Sequence, residues 1–169
     1  MRWLLKTIKI GICGLGTVGG GTFNVIARNQ AEINARAGCS IEVVQVGARR
    51  DNPDCDTNGV AISRDIFDVV SNPDIDIVVE LIGGTTVAKE LVLKAIENGK
   101  HVVTANKALI AEFGNEIFEA AEAKGVAVAY EAAVAGGIPI IRALREGLSA
   151  NKVQWLAGII NGTGNFILT

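Results

Sequence analysis

The chain has 169 residues, enough for one domain to bury an apolar core without disulfide or metal staples. Its 16 basic and 18 acidic side chains leave a net charge of −2, too weak a field to gather nucleic acid or an anionic membrane, so small molecules or other subunits are the expected partners. Hydrophobic residues at 49%, charged residues at 20% and 20 glycines argue against disorder and suit an α/β protein with many tight turns.

Cys13, Cys39 and Cys55 are odd in number and widely spaced, and with His101 as the one histidine they form no metal-ligand pattern. They read as reduced thiols. The opening Met1 to Lys6 is too short for the apolar region of a signal peptide, and no stretch approaches the roughly 20 apolar residues of a membrane span. The cytoplasm is the expected location.

In chain order, Ile8 to Cys13 is a short apolar run ending at glycines, and Thr17 to Arg36 has helical spacing through Val18, Phe23, Val25, Ile26 and Ile33. Ile41 to Ala48 is β-branched and predicts a second strand, broken by the turn-rich segment Arg49 to Asn58. A short helix is predicted from Ser63 to about Val70, then a strand from Asp76 to Ile82 that stops at Gly83-Gly84. Thr86 to Asn98 reads as a helix closed by Gly99, His101 to Thr104 as a strand, Lys107 to Lys124 as a helix closed by Gly125, and Val126 to Tyr130 as a strand. Beyond Glu131 the segment Ala135-Gly136-Gly137-Ile138-Pro139 leads into an apolar helix expected to about Leu148, then a strand from Val153 to Ile160. Strands alternating with helices predict a doubly wound parallel sheet of the Rossmann type with helices on both faces. The domain division expected is 1–135 for the nucleotide-binding domain and 136–169 for the start of a second one.

Gly14-Leu15-Gly16-Thr17-Val18-Gly19 matches GxGxxG directly after the first strand and at the start of the first helix, the context that a dinucleotide fingerprint requires. Gly14 permits the sharp turn, Gly16 admits a pyrophosphate to the backbone, and Gly19 lets helix and strand approach. The helix amino terminus supplies N–H groups and a partial positive charge. After the second strand, where an acidic residue would bond the ribose of NAD, stand Ala48, Arg49 and Arg50; two guanidinium groups suit the 2′-phosphate of NADP. Asp51 just beyond would serve NAD, and solvated loop arginines are the plainer alternative. Thr104, Asn106 and Lys107 lie at the carboxyl edge of a strand, where open α/β sheets bind ligands, as do Gly83, Gly84 and Thr85.

The sequence resembles the amino-terminal half of homoserine dehydrogenases through GLGTVGGG at 14–21, VELIGG at 79–84, GKHVVTANKALIA at 99–111, YEAAVAGGIPII at 130–141 and GIINGTGNFILT at 158–169. The resemblance implies NAD(P)-dependent interconversion of L-homoserine and L-aspartate 4-semialdehyde, a step toward threonine and methionine. It implies pyrophosphate contacts at Gly16, Thr17 and Val18, a 2′-phosphate contact at Arg49 and a cofactor contact at Lys107. A monovalent cation such as sodium would be held by the carbonyls of Glu131, Val134, Gly136 and Ile138, hard ligands that suit it. The full-length enzyme would be a homodimer or tetramer. Thr86-Val87 departs from the Glu-Pro pair usual in the family. The family's catalytic Asp and Lys lie beyond the segment that ends at Thr169, so none of the 169 residues is assigned a catalytic role. This chain, expected to be part of a longer protein, should bind nucleotide and turn over little substrate. The competing reading is a nucleotide-sensing module without catalysis. Apolar Ile159, Ile160, Phe166 and Ile167 are expected to be exposed and prone to association.

Overall fold

The computed structural model describes residues 7–158. The β-branched runs become six parallel strands, β1 (Thr7–Cys13), β2 (Ser40–Gly47), β3 (Ala61–Ser63), β4 (Ile77–Glu80), β5 (His101–Thr104) and β6 (Val128–Ala129), in the order β3-β2-β1-β4-β5-β6. The connections are α1 (Thr17–Arg28), α2 (Gln30–Ala37), α3 (Ile66–Ser71), α4 (Thr86–Glu97) and α5 (Lys107–Lys124). After the last strand come a tight turn at Glu131–Ala133 and α6 (Ile140–Arg142). This is the expected doubly wound Rossmann-type α/β fold.

Alternation along the strands divides the apolar side chains between two faces. Cys13, Val78 and Val102 face α3, α4 and α5, which contribute Val69, Val70, Leu91, Val92, Ile96, Leu109 and Ile117, each almost wholly buried. Their neighbours Ile10, Ile12, Val46 and Val79 face the other way, where Phe23 of α1 and Cys55 of the loop after β2 cover them. The glycine of β1 is required by this packing: a Cβ on Gly11 would stand 2.4 Å from Val69 Cγ1 and 2.7 Å from Ile75 Cδ1.

Several elements differ from the sequence reading. The helix expected over Thr17 to Arg36 is broken at Asn29 (φ −105°, ψ 17°), a residue type whose side chain competes with helical hydrogen bonding, and α2 leans on β2 through Asn34, whose Oδ1 accepts from the Ile41 N–H at 2.9 Å. β3 was not foreseen, because three residues between turns carry no periodicity; it pairs with β2 from Gln45↔Ala61 to Gly47↔Ser63. The helix that follows starts three residues later than Ser63, after Asp65, whose side chain accepts from the Phe67 N–H at 2.9 Å. The last strand is shorter than Val126 to Tyr130. The Val126 N–H is spent on the Ala121 carbonyl that ends α5, and the Ala127 N–H goes to His101 Nδ1.

Beyond β6, the helix expected to Leu148 is α6 followed by a wider turn over Ala143–Gly147, closed by Leu148 N–H to the Ala143 carbonyl at 2.9 Å. The expected strand from Val153 to Ile160 is not formed over 153–158, which is exposed and irregular. Residues 159–169, with the apolar Ile159, Ile160, Phe166 and Ile167, lie outside the described residues. Among those described, no helix is long and apolar enough to cross a membrane.

Candidate nucleotide site

Strand order reverses between β1 and β4: α1 leads from β1 toward β2, whereas the loop after β4 leads away toward β5. A crevice opens at such a switch point, at the carboxyl ends of the strands. Three loops border it here, 14–16 after β1, 48–52 after β2 and 81–85 after β4, with the start of α5 beside them.

The first loop is shaped by close backbone approaches. Gly14, at φ +102°, donates its N–H to the Gly47 carbonyl at 2.8 Å, and a Cβ there would lie 2.6 Å from the Leu81 carbonyl oxygen. A Cβ on Gly19 would lie 2.0 Å from the Gly14 carbonyl oxygen, so only hydrogen allows the first turn of α1 to rest on the loop. Gly16 is different, for nothing lies within 4 Å of where its Cβ would be. Its space is open to a ligand. Gly16, Thr17 and Val18 are exposed, and the first turn of α1 holds no acidic side chain and no side-chain cap, which leaves its N–H groups and partial positive charge to an anion.

The loop after β2 is tied to the glycine loop by Asn52, whose Nδ2 donates to the Leu15 carbonyl at 3.0 Å, and by the buried Cys55, whose thiol donates to the Gly20 carbonyl at 3.7 Å. Burial, with a smaller contribution from Asp54, raises the Cys55 thiol above its ordinary range. Arg49 and Arg50 are exposed and enter no ion pair among the described residues. Asp51, the residue that would favour NAD, is engaged by Arg64: Nη2 lies 2.8 Å from Asp51 Oδ1, while Nη1 donates to the Ala48 carbonyl at 3.1 Å. Sequence reasoning missed Arg64, because it reaches this loop from beyond β3, itself unforeseen. The result is three guanidinium groups around one loop.

On the far side of the switch point the carboxylate of Glu80, fully buried at the end of β4, accepts from the N–H groups of Ile82 at 2.9 Å and Gly83 at 3.3 Å with one oxygen. Its other oxygen accepts from the buried Thr104 hydroxyl at 2.6 Å. The same hydroxyl accepts from the Asn106 N–H at 3.0 Å, and the Asn106 side chain caps α5 at the Leu109 N–H and donates to the Gly84 carbonyl at 2.6 Å. Gly83 and Gly84 are both left-handed, at φ +71° and +73°, with nothing near their Cβ positions. Thr85 stands at the N-cap position of α4 without a side-chain capping bond, and Lys107 is the exposed first residue of α5, a position where the helix dipole disfavours a cation. Burial, with Glu80 adding to it, pushes the Cys13 thiol up to about 12. Cys13 is therefore inert core.

In the segment after β6, the Glu131 carbonyl accepts from the Val134 N–H at 3.2 Å and the Ile138 carbonyl from the Ile140 N–H at 2.8 Å. Ala135 and Gly137 are left-handed at φ 47° and 86°. The Glu131 side chain accepts from the N–H groups of Ile141 and Arg142, both at 2.9 Å, and so caps α6. A groove between α3 and α4, lined by Phe67, Ser71, Glu90, Leu93, Lys94 and Glu97, shares no residue with these loops, and its Lys94 and Glu97 already pair at 2.7 Å.

Residues 14–131 match the family profile described as the NAD binding domain of homoserine dehydrogenase, and residues 139–169 match a second profile described as homoserine dehydrogenase. The chain is 73% identical over 165 residues to a homoserine dehydrogenase of Pseudomonas aeruginosa and 55% identical over 168 residues to one of Neisseria gonorrhoeae, covering 98% of this chain and 38% of the relative in each case. It thus spans well under half the length of these relatives. Among solved structures, a homoserine dehydrogenase from Thiobacillus denitrificans superposes with a TM-score of 0.87 at 62% identity, over 96% of this chain and 38% of that one. The enzyme from S. aureus superposes at 0.70 with 29% identity, over 77% and 34%. The glycine loop of the switch-point crevice falls within the matched 14–131 segment, and the chain belongs to the homoserine dehydrogenase family, whose NAD-binding domain it carries.

Proposed function

We propose that this chain is the nucleotide-holding part of an enzyme that interconverts L-homoserine and L-aspartate 4-semialdehyde with NADP in preference to NAD, in the cytoplasm. The family supports the reaction. The observation that carries the cofactor preference is the arrangement after β2, where Arg49 and Arg50 stand exposed while Asp51 is drawn into an ion pair with Arg64 at 2.8 Å. The pair engages one oxygen of Asp51 and offsets its charge, which weakens its pull on a ribose hydroxyl, and planar guanidinium groups suit the oxygens of a 2′-phosphate.

When bound, the nicotinamide ring supplies the hydride acceptor or donor. The residues of this chain bind and orient it. Gly16, Thr17 and Val18 receive the pyrophosphate at the amino terminus of α1 on a cofactor loop that Gly14 and Gly19 shape, Arg49 and Arg50 hold the adenosine end, and Gly83, Thr85 and Lys107 border the other. No residue of the chain is given the hydroxyl-proton chemistry, so homoserine turnover by this chain alone is not expected. Residues 1–135 would form the nucleotide domain and 136–169 the beginning of a substrate domain, in a homodimer or tetramer. The carbonyls of Glu131, Val134, Gly136 and Ile138 would supply hard oxygen ligands to a sodium ion, those of Glu131 and Ile138 through the lone pair left beside the hydrogen bond each already accepts.

Fluorescence titration with NADPH and NADH at matched ionic strength tests this reading. Tighter NADPH binding that weakens with salt supports it; equal or tighter NADH binding removes the preference, and binding of neither removes the site.

A further inference from the structure

Glu80 ends a strand whose other members are Ile77, Val78 and Val79, and its side chain is fully buried. Burying a carboxylate is costly, and none of the ion pairs among the described residues includes Glu80. An apolar residue would serve core packing as well or better. What the carboxylate does instead is join two loops. One oxygen takes the N–H groups that shape the Ile82-Gly83 turn, and the other takes the Thr104 hydroxyl, which in turn fixes Asn106. Asn106 then reaches across to the Gly84 carbonyl and closes the circuit.

The circuit stands on one side of the switch point. A dinucleotide laid across such a crevice places its pyrophosphate at the α1 amino terminus, one nucleoside over β2 and the other over β4 and β5. With the arginine-rich loop marking the adenosine side, Glu80 underlies the opposite half. We propose that Glu80 is a positioning residue for the nicotinamide half of the nucleotide, acting through Gly83, Gly84 and Asn106; this rests on the nucleotide-binding reading above.

The test compares NADPH with 2′,5′-ADP, which keeps the adenosine and 2′-phosphate and lacks the nicotinamide nucleoside. Glu80→Gln keeps the shape but turns an amide N–H toward Thr104; Thr104→Val removes the hydroxyl, and Thr104→Ser keeps it. With folding checked by circular dichroism, Glu80→Gln and Thr104→Val each weaken NADPH binding about tenfold, the loss of roughly one buried hydrogen-bonded contact, while 2′,5′-ADP binding and Thr104→Ser stay within about twofold of wild type. Equal weakening of both ligands would mean a merely structural role and overturn the proposal, as would no change in either. Wild-type binding of NADPH no tighter than 2′,5′-ADP would also overturn it. Wild-type binding of neither ligand would bring down the nucleotide-binding reading itself, and the proposal with it.

Discussion

The two loops that meet at the β1/β4 switch point are held by opposite means. After β1 the chain is shaped by missing side chains: the Gly14 carbonyl and the first turn of α1 approach so closely that a Cβ on Gly19 would stand 2.0 Å from oxygen. After β4 the turn is shaped by an added one, the buried carboxylate of Glu80, and its glycines face open space. Steric fit tolerates no intrusion, whereas a hydrogen-bonded anchor leaves its turn room for small changes. The loop built on contact should be brittle and the loop built on an anchor forgiving.

Substitution by alanine breaks or sharpens this contrast directly. Gly19→Ala forces two backbone segments apart and is expected to cost more than about 2 kcal/mol in urea denaturation and to abolish NADPH binding. Gly84→Ala meets no atom within 4 Å, so its cost is the left-handed strain at φ +73° alone, about 1 kcal/mol. If the two variants unfold at the same urea concentration, the contrast fails. Gly16→Ala sits within the brittle loop but in open space at φ −72°, and should lose no more than about 1 kcal/mol, the scale of a changed helix cap, while nucleotide affinity falls because the methyl group enters the space left for pyrophosphate.

An effect confined to alkaline pH concerns Cys13, which lies beneath both loops. Its thiol is pushed up from 9.0 to about 12 by burial first and by Glu80 second. A folded-state value raised above the unfolded one adds stability that is complete below about pH 9 and is lost as pH climbs toward 12. Measured between those limits, wild type should therefore lose stability relative to Cys13→Ala. Unchanged separation across the range would contradict the assignment. At pH 8, alkylation followed by mass spectrometry should modify the half-buried Cys39 well before Cys13.

The sheet and the glycine loop were legible because both depend on neighbours in sequence. Runs of β-branched residues, glycines after helices, and three glycines at fixed spacing act over a few residues, and the bounds of β5 and α5 fall where the sequence places them. What depends on distant partners was not. Glu80 is one charged residue in the run DIVVELI, a signal that a strand end carries something unusual, but its partner Thr104 is 24 residues away. Arg64 reads as part of a helix start until β3 brings it beside Asp51, 13 residues earlier. The shortening of β6 likewise follows from hydrogen bonds already committed at the end of α5 and to His101.

In the binding mode proposed above, the nucleotide lies across the β1/β4 switch point with its pyrophosphate on the first turn of α1. Titrating 15N-labelled protein with NADPH tests it at single-residue level. The largest amide shifts are expected at Gly16, Thr17, Val18 and Gly19, with smaller ones at Arg49, Arg50, Gly83 and Gly84. Shifts that leave residues 14–19 unmoved and gather elsewhere, for instance in the groove between α3 and α4, would contradict it.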